Sequence, residues 1–516
     1  MIANDATGQE MLPAHQLARL RNSLLAADYT VDAVLERLGE EGRAGLERNS
    51  TVPALDQLGG DDDAQAQLIR LFPLQQEIPR SALIPFIDID TLLAAGLLEP
   101  AAAPERVRAA VDIRPYGFED DQGEWSGWVV ADLLPGMDRV TTPTRPDYVL
   151  GVSPASTSLA QMSVPDHVHS ALDLGTGCAI QALHLARHAD HVVATDLNPR
   201  AVRLARLTLA LNESGVPVRQ GSLYEPVEPE RFDLIVTNPP YVMSPPAPPD
   251  ERLVYRESGF DGDGLVAAVL SGARAHLSEG GLLQVLANWA ETAGESWQDR
   301  LAGWGRSSGC EMWVLRRERL DIYQYIEMWL TDAGLDGAPE WHRRYREWLE
   351  YFNRLGITGV GMGWIMLRNT ATSNPGIHIE DWPYEIAQPV GPALSQGWHA
   401  LDLDDLPDGQ LWAACCTVNP DVSQESIAAP GAVDPNYVVL RQNRGLKRAM
   451  RVDTALGGVL GACDGELALG TIVDAVASLV DEQADALRQR LLPDLRRALR
   501  QGFLLWPKSP GPGSAV

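Results

Sequence analysis

Several features of secreted, membrane or metal-binding proteins are scarce in this chain of 516 residues. None of its five cysteines falls in a CxxC pair, which excludes a disulfide framework and a zinc knuckle. His184 and His188 lie one helical turn apart without a carboxylate or cysteine at ligand spacing, so we predict a solvated helix face and no metal. No apolar run reaches the ~18 to 20 residues of a membrane span, and the first residues do not resemble a secretory signal. We expect a soluble, cytoplasmic protein without a membrane partner; its oligomeric state is not indicated.

Basic residues are also in the minority. The chain contains 42 Lys and Arg against 70 Asp and Glu, a formal net charge of -28. A protein that binds phosphates through a basic face gains by counterion release, and so acidic a chain repels nucleic acid at long range. The charge therefore favours a protein or small-molecule partner. RNA or DNA stays open, because the basic run Arg488–Arg500 is either the solvated face of an amphipathic helix or a nucleic-acid contact.

The length predicts two to four domains, of which residues 1–145 form the first. Helical patterns at Ala64–Phe72 and Asp90–Leu98 precede two predicted strands, Arg106–Arg114 and Glu124–Ala131. Helices followed by a two-stranded wing are the outline of a winged-helix-like α+β domain. Its acidic clusters make docking against a protein at least as good an interpretation as nucleic-acid binding.

Residues 146–370 alternate strands with amphipathic helices, which predicts a parallel, doubly wound α/β sheet. The predicted strands are Ser170–Leu174, His191–Thr195, Val216–Gln220, Phe232–Thr237, Leu282–Ala287, Cys310–Leu315 and Gly359–Leu367. Pro339–Phe352, rich in Trp, Tyr and Arg, is predicted to be a helical insertion. Residues 371–410 are predicted to be linker or irregular structure. Residues 411–516 again have a winged-helix-like outline, with three helices between Val452 and Gln501 and a closing strand at Phe503–Trp506.

The strongest local signal is Ala171–Ile180, a strand that ends in a glycine-rich turn and opens a helix. Gly175 and Gly177 allow the backbone to approach a ligand closely, beside the free N–H groups of a helix N-terminus. A nicotinamide-binding loop would read GxGxxG instead. Asp173, two residues before the first glycine, can accept a hydrogen bond from an ammonium group, which suits an amino-acid moiety better than a phosphate.

Two further strand ends extend this predicted site. Asp196 ends the next strand, where a carboxylate accepts ribose hydroxyls, and Asn198 behind it is predicted to be the N-cap of a helix. Ser222 and Leu223 follow the third strand, at the expected position of an adenine ring. These positions together predict a nucleoside bearing an amino-acid group.

The deciding motif is Asn238-Pro239-Pro240-Tyr241, at the end of the fourth strand. Two prolines cannot continue a strand, so the chain leaves the sheet at the ligand end. The side-chain carbonyl of Asn238 and the backbone carbonyl of Pro239 can hold an NH2 group, and Tyr241 can stack on a planar amide or base. The motif predicts transfer of a group to an amide or amine nitrogen, driven by positioning.

These residues resemble the class I S-adenosylmethionine-dependent methyltransferases with an NPPY motif. They are most similar to the HemK/PrmC group, which methylates glutamine amides, and to the methyltransferase small-domain group. The resemblance includes Arg256–Leu265 and a flanking Thr157. It implies a Rossmann-like, seven-stranded sheet of order 3-2-1-4-5-7-6 with S-adenosyl-L-methionine as cofactor. The implied cofactor-binding residues are Thr157, Asp173, Gly175, Gly177, Asp196, Ser222, Leu223 and Asn238, and the implied acceptor-binding residues are Asn238, Pro239, Pro240 and Tyr241.

Two positions depart from that group, and four functions stay open. Ala179 replaces a third glycine, and Ser222 stands where an acidic residue often contacts the adenine amino group. The favoured hypothesis is methylation of a glutamine side chain in a protein, with the outer domains docking that protein. The alternative is a nucleic-acid methyltransferase acting on adenine N6 or guanine N2. A small-molecule acceptor and a non-catalytic scaffold are also considered.

Overall fold

The computed structural model describes residues 12–140, 144–246, 253–257, 259–372, 374–403, 406–430 and 437–507. The chain divides into two compact units. The larger contains Met1–Ala160 and His167–Pro383, and the smaller contains Gln161–Asp166 and Tyr384–Val516. The predicted N-terminal and central domains thus lie in one unit. Within the described ranges, no helix has both the length and the apolarity needed to cross a bilayer.

The first part of the larger unit consists of helices, a small sheet and a hairpin. Its elements are α1 (Ala14–Ala26), α2 (Val31–Glu47), α3 (Val52–Leu58), α4 (Ala64–Leu71), β1 (Ile78–Pro79), α5 (Arg80–Leu83), α6 (Ile89–Ala94), β2 (Leu98–Pro100), β3 (Arg106–Ala109), β4 (Asp112–Asp120) and β5 (Gly123–Ala131). The antiparallel order is β1-β3-β2, and β4 pairs with β5 alone.

The predicted strand Arg106–Arg114 is two strands in the structure, which belong to different sheets. The connection between β4 and β5 is also shorter than the gap between the two predicted strands, because Asp120 already pairs with Gly123. Pro115 lies inside β4, where it pairs with Trp128. A proline is tolerated there because β4 has a free edge that needs no N–H donor. The hairpin is therefore separate from the three-stranded sheet and is not its wing.

The second part of the larger unit is built on an eight-stranded mixed sheet. Its elements are α7 (Pro154–Met162), β6 (Val168–Leu174), α8 (Ile180–Leu185), β7 (Ala189–Asp196), α9 (Pro199–Leu211), β8 (Val218–Gln220), β9 (Phe232–Thr237), α10 (Gly264–His276), β10 (Leu277–Thr292), α11 (Trp297–Ser308), β11 (Glu311–Asp321), α12 (Ile322–Asp332), α13 (Trp341–Leu355), β12 (Ile357–Arg368) and β13 (Ile377–Asp381). Every strand predicted between Ser170 and Leu367 is present.

The strand order in this sheet is β13-β11-β12-β10-β9-β6-β7-β8. Numbered from β6 along the chain, the strands β6 to β12 lie in the order 3-2-1-4-5-7-6. β12 is antiparallel to both β10 and β11, and the other pairs are parallel. The sheet has eight strands and not seven, because β13 pairs with the edge of β11. β13 lies in the segment 371–410, which its composition predicts to be irregular.

The N-terminal hairpin is fixed to the sheet domain through α9. The backbone N–H of Val130 donates to Thr208 Oγ1 over 2.9 Å, and that of Trp128 donates to Asn212 Oδ1 over 3.0 Å. Both donors lie on β5; Thr208 lies on α9, and Asn212 is its C-cap. A single hydrophobic core accordingly contains residues from Leu12 to Val218.

His184 on α8 belongs to the same interface. Its Nε2 lies 2.7 Å from the hydroxyl of Tyr116, and its ring stacks on Phe118 with 3.7 Å between centroids. Burial lowers the pKa of His184 to about 4, so the ring is neutral near pH 7. The predicted solvated helix face is therefore wrong at His184, because the hairpin covers it.

The predicted helical insertion corresponds to α13, and α12 precedes it. The two helices enclose an aromatic cluster of Tyr325, Trp348, Tyr351 and Phe352, all buried. The hydroxyl of Tyr325 accepts a hydrogen bond from the backbone N–H of Met243 over 3.1 Å. The insertion thus supports the chain shortly after the NPPY motif.

The smaller unit contains α14 (Gly391–Leu401), α15 (Asp408–Ala413), β14 (Thr417–Val418), β15 (Val422–Ile427), β16 (Tyr437–Gln442), β17 (Ala449–Val452), α16 (Thr454–Gly461), α17 (Leu469–Leu479), α18 (Ala484–Arg500) and β18 (Leu504–Leu505). β15, β16 and β17 form an antiparallel meander, and β14 pairs with β18. The three predicted helices and the closing strand are present. The segment 371–410, which was predicted to be irregular, contains α14 in the structure.

Candidate active site

A cavity of about 220 Å³ lies at the carboxyl ends of β6, β7 and β9. The strand order reverses between β6 and β9, and crevices at such points are the usual ligand sites of open α/β sheets. Among the described residues that line the cavity, only Asp196 and Glu257 are charged, and both are acidic. No lysine or arginine side chain among the described lining residues could bind a phosphate. The electrostatics favour a cationic ligand.

The glycine-rich turn forms one wall of the cavity. Gly175 and Gly177 have φ values of +77° and +56°, and a Cβ at either position would meet no other atom within 4 Å. The backbone is thus bare toward the cavity, which lets a ligand approach it closely. Ala179 adopts φ +73° at the position of the family's third glycine, a left-handed conformation that is uncommon for alanine.

Asp173 lies beneath this turn and does not line the cavity. Its Oδ2 accepts bonds from Thr176 Oγ1 at 2.5 Å and from the backbone N–H of Ala182 at 3.0 Å. The side chain is buried, and burial raises the pKa of Asp173 to about 7. The structure shows it holding the turn against α8; direct cofactor contact stays a prediction.

Asp196 lines the cavity and connects two backbone segments. Its Oδ2 accepts from Gly177 N at 2.9 Å, and its Oδ1 accepts from Asn198 N at 2.8 Å. Each carboxylate oxygen retains a lone pair for a further donor, so ribose hydroxyls can still bind. Burial raises the pKa of Asp196 above its ordinary value. Asn198 caps α9 by accepting from Arg200 N at 3.0 Å, which confirms the predicted N-cap.

A buried ion pair fixes the segment that carries Tyr148 and Val149, both at the cavity. Arg200 Nε lies 3.0 Å from each carboxylate oxygen of Asp132, and Asp132 Oδ2 accepts from Val149 N at 2.8 Å. Asn198 Nδ2 also donates to Asp147 O over 2.9 Å. These bonds join the segment to the beginning of α9.

Ser222 and Leu223 line the cavity, as the predicted adenine position requires. Thr157 does not line it. Its Oγ1 lies 3.2 Å from both Ser153 O and Pro154 O at the beginning of α7, and the cavity is instead lined by Ser153 and Ser156.

Asn238, Pro239 and Pro240 line the cavity at the end of β9. Asn238 Oδ1 is buried without a hydrogen-bond partner among the described residues. An unpaired buried acceptor costs about 1 to 3 kcal/mol, which a ligand donor would recover. Thr195, which also lines the cavity, has a buried Oγ1 without a partner among the described residues, so Asn238 Oδ1 is one of two such atoms and the one at the end of β9.

Tyr241 lies outside the cavity lining and packs against the aromatic cluster of α12 and α13. The backbone of Tyr241 pairs with that of Glu257 in an isolated antiparallel bridge. Stacking of Tyr241 on an acceptor stays a prediction. The aromatic side chains at the cavity are Tyr148, Tyr255 and Phe260, and the sequence analysis did not single them out.

Glu257 is a further cavity residue that the sequence analysis did not single out. It lies in the segment Arg256–Leu265, of which Ser258 is outside the described residues. Its side chain is 8% exposed, and burial raises its pKa. The sequence analysis singled out this segment as a whole, but its pattern did not distinguish the glutamate from its neighbour Arg256.

Comparison with protein families finds a match to the methyltransferase small domain over residues 151–299. A domain of unknown function matches residues 26–110. A release factor glutamine methyltransferase of Xylella fastidiosa is 39% identical over 213 residues, which cover 37% of this chain and 72% of the relative. The chain belongs to the family of release factor glutamine methyltransferases.

Other members of the family match shorter segments. The release factor glutamine methyltransferase of Geobacter sulfurreducens is 31% identical over 29% of this chain, which spans just over half (55%) of the relative. A ribosomal protein uL3 glutamine methyltransferase of Bradyrhizobium diazoefficiens is 30% identical, over 26% of this chain and 46% of the relative. A methyltransferase structure from Pyrococcus furiosus has 16% identity and a TM-score of 0.27, over 43% of this chain and 85% of that chain.

Methyltransferases of this family use S-adenosyl-L-methionine as methyl donor. The cavity fits that molecule, because its charged lining residues are acidic and the donor carries a sulfonium cation. Gly175 and Gly177 would adjoin the amino-acid moiety, Asp196 the ribose, and Ser222 and Leu223 the adenine. The donor supplies an electrophilic methyl group on sulfur.

Proposed function

We propose that this chain methylates the side-chain amide nitrogen of a glutamine in a protein, with S-adenosyl-L-methionine as donor. The observation that carries this proposal is the unpaired Asn238 Oδ1 in the cavity. A primary amide brings N–H donors to such an oxygen. The names of the relatives, glutamine methyltransferases of release factors and of ribosomal protein uL3, support the same acceptor.

Positioning is the chemistry that this site can supply. The lone pair of an amide nitrogen is delocalised, so the nitrogen is a poor nucleophile. Asn238 Oδ1 and the carbonyl oxygen of Pro239 accept its N–H groups and orient it. Correct orientation contributes about 7 to 11 kcal/mol to such reactions. The prolines keep these acceptors in place, because Pro239 and Pro240 restrict the backbone.

The flanking regions are assigned to substrate docking. In this proposal, the winged-helix-like interpretation of residues 1–145 and 411–516 describes protein-binding domains, in keeping with the net charge of -28. The substrate and the enzyme meet in the cytoplasm, where release factors and ribosomal proteins are found.

The nucleic-acid alternative requires a basic face on α18, and four arginines of that helix have acidic partners. Arg488 binds Asp474, Arg490 binds Asp453, Arg496 binds Asp408 and Arg497 binds Asp494. A phosphate would have to displace those carboxylates. This pairing supports a protein acceptor over RNA or DNA.

The test is a methyl-transfer assay with labelled donor and three separate acceptors, namely a purified release factor, ribosomal protein uL3 and total RNA. We expect label in one of the two proteins, located by mass spectrometry on a glutamine. Asn238→Ala should reduce kcat about 100-fold with unchanged affinity for S-adenosylhomocysteine. Label only in RNA would refute the protein acceptor, and full activity of Asn238→Ala would refute the role of Asn238.

A further inference from the structure

One buried hydroxyl group at the cavity, that of Thr195, bonds to no atom of the described residues. Thr195 lines the cavity, and its Oγ1 is buried without a hydrogen-bond partner among those residues. We infer that this hydroxyl donates a hydrogen bond to a ring nitrogen of the adenine of S-adenosyl-L-methionine, one of the two that flank the bond to the ribose. Thr195 would thus be a specificity-determining residue for the methyl donor, whichever acceptor is methylated.

The backbone fixes Thr195 without using its side chain. β7 pairs with β6 so that Thr195 lies opposite Leu174. The carbonyl oxygen of Thr195 accepts from Gly175 N at 2.9 Å and from Thr176 N at 2.8 Å. These two bonds use both lone pairs of the carbonyl oxygen and join the residue to the glycine-rich turn. The hydroxyl takes no part in them, so a ligand can bind it without disturbing the sheet.

The side chain of Thr195 lies on the face of the sheet that α10 covers. Successive side chains of a strand point to opposite faces, so Val193 and Thr195 share one face and Asp196 points to the other. Val193 belongs to one hydrophobic cluster with Val269 of α10, and Leu223 packs against that cluster. Leu223 is expected to adjoin the adenine. Thr195 is therefore on the side of the base, and Asp196 on the side of the ribose.

Two other hydroxyl groups on this face have partners within the protein. Thr237 Oγ1 donates to Leu174 O over 2.7 Å, and the hydroxyl of Tyr224 donates to Val269 O over 3.0 Å. The residues of α10 that line the cavity are aliphatic. A polar atom left unpaired in such surroundings is unfavourable until a ligand pairs with it. The Thr195 hydroxyl is thus placed to give an otherwise apolar surface one directional contact.

The chemistry of adenine identifies the atom that this hydroxyl meets. A hydroxyl is a donor, and the unprotonated ring nitrogens N1, N3 and N7 of adenine are acceptors. N3 and N7 flank the bond to the ribose, whereas N1 lies at the far end of the base. Asp196, which would adjoin the ribose, follows Thr195 directly, and Ser222 lies beyond the neighbouring strand β8. The hydroxyl therefore meets N3 or N7.

Calorimetric binding of S-adenosylhomocysteine to the full chain tests this contact. Thr195→Val keeps the shape of the side chain without its hydroxyl, and we expect it to weaken binding about tenfold. Thr195→Ser keeps a hydroxyl and should bind within about threefold of the wild type. Without ligand, Thr195→Val should raise the temperature of the thermal transition that S-adenosylhomocysteine shifts, because a buried unpaired hydroxyl is removed. A hydroxyl with a purely structural role would instead lower that temperature when lost.

Analogues of S-adenosylhomocysteine with CH in place of one ring nitrogen identify the atom. The probes are its 1-deaza, 3-deaza and 7-deaza forms. The wild type should bind either the 3-deaza or the 7-deaza form about tenfold more weakly than the parent compound. Thr195→Val should bind that form and the parent compound equally, because the hydroxyl and the nitrogen act as one pair. The 1-deaza form should have the same relative affinity in both proteins.

The matched control is Thr358→Val, at an exposed position of β12, which should leave the affinity for all four ligands unchanged. Wild-type affinity of Thr195→Val for S-adenosylhomocysteine would overturn the inference. Equal losses of affinity for the 3-deaza and 7-deaza forms in the wild type and in Thr195→Val would do the same. These measurements involve no acceptor, so either outcome leaves the glutamine proposal to its own assay.

Discussion

Replacement of Asp173 by asparagine should stabilise the larger unit at neutral and alkaline pH. Asp173 is buried beneath the glycine-rich turn, and its acceptor bonds from Thr176 and Ala182 can be kept by an amide oxygen. Desolvation by burial opposes ionisation of this carboxyl group and raises its pKa from 3.8 to about 7. The asparagine variant has no group that ionises at this position, so it does not incur this cost.

The sign and size follow from proton linkage. A raised acid pKa means that the folded state binds a proton more tightly, so this contribution to stability is full below the unfolded pKa and is lost as pH rises toward 7. The loss for Asp173 is about 4 kcal/mol in total. About 3 kcal/mol of it falls between pH 5 and pH 8. The free energy of unfolding of Asp173→Asn, relative to that of the wild type, should therefore rise by about 3 kcal/mol between pH 5 and pH 8.

Calorimetry of both proteins at several pH values measures the effect. The chain has two units, so the relevant transition is the one that S-adenosylhomocysteine shifts upward. The comparison uses differences between variant and wild type, which cancels other titrating groups. Asp62→Asn, at an exposed position, is the matched control and should show no pH-dependent difference. A stability difference between Asp173→Asn and the wild type that is constant from pH 5 to pH 8 would refute the reasoning.

Three further perturbations test the site and its frame. Arg200→Met should lower the free energy of unfolding by about 3 to 5 kcal/mol, because it leaves Asp132 buried and unpaired. Adding Asp132→Asn should recover much of that loss, as measured by urea unfolding. Ala179→Val should lower the melting temperature markedly, because a β-branched residue tolerates φ +73° poorly, while Ala179→Gly should stay within about 1 kcal/mol of the wild type. Exchange of Arg496 and Arg497 for alanine should leave the salt dependence of methyl transfer unchanged, since both arginines bind carboxylates; a flatter dependence would support a nucleic-acid acceptor.

The sheet and the ligand-binding turns were accessible from sequence because both have local signals. Buried parallel strands such as Phe232–Thr237 are short apolar runs, and the turns after them carry glycine, aspartate or the Asn-Pro-Pro motif. These patterns need only neighbouring residues. The predicted order of the strands came from family resemblance and not from the runs themselves.

Contacts between distant segments had no such signal. Tyr241 was predicted at the acceptor, but its surroundings depend on α12 (Ile322–Asp332) and α13 (Trp341–Leu355), which lie far along the chain. The position of Glu257 depends on an isolated bridge to Tyr241, which no periodic pattern reveals. Asp173 faces Ala182 because α8 packs back on the turn. β13 was missed because it lies in a segment rich in Pro and Gly, whose pairing is supplied by the edge of β11.

The attachment of β5 to α9 has a consequence for how the protein can be divided. α9 begins at Pro199, shortly after Asp196, so its first turn lies beside the cavity while its flank holds the N-terminal hairpin through Thr208. Arg203 on the same helix donates to Ala95 O from a buried position. A fragment cut near residue 146 would leave this flank of α9 uncovered. Expression trials, gene fusions and chimeras with shorter relatives should therefore keep residues 12–131 together with the eight-stranded sheet.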